Sequence, residues 1–101
     1  MRGGRRSRPE PLAGLVPRVL RELGFDEAAG VMRVARGWEE AVGPEVARHC
    51  RPLALRGRLL EAEVDSSAWC QELRMRAPEI LAGLRRVLGE DAPTELRLHL
   101  G

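Results

Sequence analysis

The chain has 101 residues and a mass of 11.2 kDa, and 44% of its residues are apolar, enough for one modest hydrophobic core and too few for a second. No apolar run approaches the ~18–20 residues of a bilayer span, and the N-terminal arginines lack the apolar stretch of a secretory signal, so the composition reads as a soluble cytoplasmic domain. All 17 basic residues are arginine, and the net charge of +2 is uneven: Arg2, Arg5, Arg6 and Arg8 cluster at the start, whereas the rest sets 13 arginines against 15 acids.

Residues 1–11 (MRGGRRSRPEP) contain no apolar residue but Met1 and read as a flexible basic arm, with residues 12–101 as the domain. Leu12, Leu15, Val16, Val19, Leu20 and Leu23 recur at helical spacing up to Gly24, and Pro17 either opens the regular helix or kinks it. Asp26 is placed to cap a second helix. In it Val31, Val34, Ala35, Trp38 and Val42 share a face opposite Arg33, Arg36 and Glu40. Gly43–Pro44 ends it, and Pro44 opens a short turn through Ala47.

Residues 53–56 and 59–65 predict an antiparallel hairpin about Gly57, with Leu60, Ala62 and Val64 on the buried side of its second strand. Asp65–Ser66–Ser67 offers caps for a long helix striped by Trp69, Leu73, Ala77, Ile80, Leu84 and Leu88. Pro78 predicts a kink or break near Ala77, and Gly89 an end. Residues 94–100 alternate strictly, with Leu96, Leu98 and Leu100 on one face, and form the last strand. The order α-α-β-β-α-β predicts a single α+β domain: a three-stranded mixed sheet with helices on one face, its last strand parallel to a hairpin strand.

Phosphate-loop, dinucleotide, serine-hydrolase and HExxH motifs are absent from the sequence, and no enzyme is expected. Adjacent His49 and Cys50 suit tetrahedral chelation poorly, and Cys50 and Cys70 read as small buried or half-buried side chains; neither metal nor cofactor is expected. Between Val46 and Leu60 stand Arg48, His49, Arg51, Arg56 and Arg58 without an acid, a stripe able to attract phosphate. None of the predicted strands carries an aromatic for base stacking, and no GxxG exists to clamp a backbone. That leaves sequence-tolerant contact through arginine: Arg5, Arg6 and Arg8 of the arm, Arg48, Arg51, Arg56 and Arg58, and Arg74 as a weaker candidate. The same arginines also read as a solvated hairpin that blunts a sheet edge. A protein-interaction or RNA-binding module remains the alternative function, binding a protein through an exposed edge strand or the outer face of the second helix.

WEEAVG at 38–43, Ala47–Arg48–His49, Pro52–Leu53, Gly57 with Leu59–Leu60, Val64, Ser66–Ser67–Ala68–Trp69 and Glu72–Leu73, in this order and spacing, resemble the DciA family of bacterial proteins. The likeness continues through Pro78, Leu81, Leu84 and Gly89 to the last strand. The resemblance implies a KH-like domain without the KH clamp, with Trp38 and Trp69 packing helices onto the sheet. It also implies a non-ATPase accessory in DNA replication that binds DNA and assists loading of the replicative helicase DnaB. The partners expected are DnaB and single-stranded or junction DNA of low sequence specificity, with no membrane or small-molecule substrate.

Overall fold

From Phe25 the chain forms an 18-residue helix, α1 (Phe25–Val42), with Asp26 and Glu27 in its first turn, where their charge favours the positive end of the helix dipole. Asp26 thus lies inside the first turn rather than ahead of it. The computed structural model describes residues 25–101; the predicted arm, the predicted helix over 12–24 and Arg5, Arg6 and Arg8 lie outside the described residues. Gly43, at φ +92°, ends α1 in backbone space that favours glycine, and Pro44 enters the first turn of a short helix, α2 (Pro44–His49). The turn expected after Pro44 is therefore a full helical segment, with Arg48 and His49 in its last turn.

Strand β1 (Cys50–Arg56) begins three residues earlier than the alternation predicts. Pro52 argues against a strand in the sequence, yet it is tolerated here because β1 is an edge and a bulge falls between Pro52 and Ala54. The turn at Gly57, φ +63°, leads into β2 (Leu59–Val64). β2 is the central strand, antiparallel to β1 and parallel to β3 (Glu95–Leu100). The parallel pairing needs a crossover, and two helices supply it. Ser66 accepts the Trp69 backbone N–H at 3.2 Å and caps α3 (Ser67–Met75). Pro78 lacks an N–H and would clash with the carbonyl four residues back if α3 continued. The helix accordingly breaks at Arg76 and resumes as α4 (Ala77–Leu88), followed by a 3-10 turn, Gly89–Asp91.

Counting α3 and α4 as one broken helix, the fold is α+β with a three-stranded mixed sheet, and helices cover the face that carries Leu60, Ala62 and Val64. Leu60, Leu73, Leu84, Val34 and Val64 are the largest fully buried side chains among the described residues; truncating any of these leucines to alanine should cost about 2–5 kcal/mol. Trp38, 5% exposed, donates its indole N–H to the Cys50 carbonyl at 2.8 Å and so ties the end of α1 to the start of β1. α1 and α4 cross closely enough that Gly83 lies against the Ala41 carbonyl. No described helix is long and apolar enough to cross a membrane.

Candidate nucleic-acid interface

The arginines predicted as one stripe occupy three places. Arg48 is exposed on the last turn of α2 and, among the described residues, has no carboxylate within ion-pair distance. It lines a cavity with His49, Arg51, Glu63 and Asp65 at one end of the sheet. His49 is held there from two sides: its Nδ1 lies 3.0 Å from an Asp65 carboxylate oxygen, and its ring stacks on Trp69 at a centroid separation of 4.5 Å. Trp69 is therefore half-buried between core and surface rather than a second interior indole. Arg76 stands 6.0 Å from its ring centroid and pairs with Glu72 one helical turn back.

Arg51 and Arg56 lie on the outer face of the sheet, opposite Glu63 and Leu59 of β2, about 13 Å apart at ~3.3 Å per strand residue. Each faces a carboxylate of β2. Arg51 donates Nε and Nη2 to Glu63 at 3.0 and 2.7 Å, and Arg56 lies 3.5 Å from Glu61, which His99 of β3 also approaches at 3.4 Å. The arginines of both pairs are exposed and their carboxylates half-buried, and pairs this near the surface contribute about 0–1 kcal/mol. A window read along the chain from 46 to 60 contains no acid; the neutralising charge arrives across the hairpin, at alternate positions of β2. The register of an antiparallel pair was the signal that could have found it.

Arg58 turns inward. Its Nη1 donates to the Glu90 and Ala92 carbonyls, both at 2.7 Å, while its own carbonyl accepts the N–H groups of Thr94 and Glu95. It fastens the hairpin turn to the segment that leads into β3. Arg74 is exposed at the end of α3 and lines a separate groove with Ala77, Leu96, Arg97 and Leu98.

Both cysteines are free and buried. Burial pushes the Cys50 thiol up to about 12, with Cys70 and Asp65 adding to the effect, so it stays protonated at neutral pH and is no nucleophile beside His49. No group of metal-ligating side chains is present among the described residues.

Fold and surface together define a small mixed-sheet α+β domain with arginines at its margins. A family profile described as "Dna[CI] antecedent, DciA" matches residues 11–98, and the chain belongs to the DciA family. It is similar to the UPF0232 protein of Streptomyces avermitilis, 36% identical over 93 residues that cover 90% of this chain and 51% of that protein. It is also similar to the UPF0232 proteins of Streptomyces coelicolor, 37% identical over 83 residues (80% and 44%), and Rhodococcus jostii, 29% identical over 90 residues (89% and 48%). The chain spans about half the length of these curated relatives.

Proposed function

We propose that the protein is a cytoplasmic DNA-binding accessory that assists loading of the replicative helicase DnaB in bacterial DNA replication. The observation that carries this reading is the family match over residues 11–98. The surface supports it: Arg48 is uncompensated among the described residues, and Arg51 and Arg56 keep exposed side chains while each pairs with a half-buried carboxylate. These three take the main phosphate contacts, and Arg5, Arg6 and Arg8 add charge from the N-terminal segment. Arg58 contributes charge while its Nη1 holds the turn, and Arg74, in its own groove, is the weaker candidate. With no aromatic on any described strand, contact is to the backbone and tolerant of sequence. The architecture is consistent with a KH-like domain that lacks the GxxG clamp.

The test is helicase loading on a single-stranded DNA circle, with DnaB and the full chain. DnaB retained on the circle should rise when the chain is added, and a folded Arg48→Glu/Arg51→Glu variant should raise it less. Equal retention with and without the chain contradicts the role.

A further inference from the structure

The two edges of the sheet differ in character. β1 carries Pro52, which has no N–H to offer, and a bulge between Pro52 and Ala54; both stop another strand from pairing. β3 has neither. Its six residues, Glu95–Leu100, pair with β2 on one side, and among the described residues no strand pairs with the other. The inward side chains of β3 are incompletely covered: Leu96 and Leu98 are half-buried, and Leu100 is 59% exposed. Met75, at the end of α3, is 76% exposed, and with Leu100 it makes up the exposed large hydrophobics of the described residues. Between the edge and the α3–α4 junction runs the groove lined by Arg74, Ala77, Leu96, Arg97 and Leu98. Arg74 and Arg97 both lack a carboxylate within ion-pair distance among the described residues.

We propose that the open edge of β3 binds an extended acidic peptide of a partner protein by strand addition. The backbone of the peptide completes the ladder on β3 and supplies affinity, and alternate apolar side chains seat on Leu96, Leu98 and Leu100 and set the register. Carboxylates of the peptide meet Arg97 on the outer face and Arg74 at the groove rim. A nucleic-acid strand offers charge to the two arginines but has no row of amides for the ladder and no aliphatic groups for the leucine floor, so the chemistry favours a peptide. This inference goes beyond the DNA and helicase reading and does not depend on it.

The probe is a synthetic eight-residue peptide alternating valine with glutamate, titrated into the ¹⁵N-labelled full chain; the control alternates valine with lysine. Saturable amide shifts confined to Glu95–Leu100 and to Arg74–Ala77 are expected, with the control binding at least about tenfold weaker. In an Arg74→Glu/Arg97→Glu variant the preference should reverse. Should that variant fail to fold, the comparison of the two peptides on the native chain decides. Shifts elsewhere, equal binding of both peptides, or displacement of the acidic peptide by an oligo-dT strand at the same amides overturns the proposal. So does finding the β3 amides already protected in the peptide-free chain by residues 12–24 or by a second copy.

Discussion

At Cys50 the carbonyl and the thiol have separate tasks. The carbonyl accepts the Trp38 indole, and the thiol fills the space beneath, buried and pushed up to about 12 from 9.0, first by desolvation and then by Cys70 and Asp65. A thiol raised on folding contributes stability that is complete below the unfolded value and lost as pH rises through the folded one. The urea midpoint of the native chain should therefore fall between pH 9 and about 12, and fall less in Cys50→Ala. Alkylation of Cys50 by iodoacetamide near pH ~8 should be far slower in the native chain than in urea; equal rates contradict the burial. Burial of both cysteines was legible from residue type. The stack of His49 on Trp69 was not, because twenty positions separate them and no local pattern joins a helix end to the cap of another helix.

Among the elements, those fixed by local chemistry were legible: the Gly57 turn, the Ser66 cap, the break before Pro78, the stop at Gly89. The bulge in β1 was not. The predicted strand started at Leu53, and only the pairing of Pro52 with Ala62 and of Ala54 with Glu61 shows that it starts earlier and carries a bulge. The crossing of α1 and α4 was equally hidden, since Gly83 looks in the sequence like a weak helix former. A Cβ at Gly83 would be driven into the Ala41 carbonyl, so Gly83→Ala must push the helices apart. The usual gain of about 1 kcal/mol for alanine over glycine in a helix should be outweighed by about 1–3 kcal/mol of overpacking, lowering the melting temperature. A variant as stable as the parent would remove close packing at this crossing.

Over the whole molecule, charge is arranged by topology rather than by the linear run of arginines. The hairpin sets Glu61 and Glu63 against Arg56 and Arg51, the turn takes Arg58 for structure, and Arg48 and Arg58, both exposed, have no carboxylate within ion-pair distance among the described residues. The fold class and the parallel last strand were readable in advance, whereas the arginines could be named there only as candidates. Their division into two cross-strand pairs, one structural clamp and one arginine on a helix end required the fold. The proposed DNA contact is electrostatic and centred on Arg48, Arg51 and Arg56. Its most direct test is the affinity of the full chain for single-stranded oligo-dT across a salt series. The account predicts a logarithmic affinity that falls linearly with the logarithm of salt, with a slope smaller by about 1.4 in Arg48→Ala/Arg51→Ala, two contacts at ~0.7 each. A slope near zero in the parent, or one that the double substitution leaves unchanged, would contradict it.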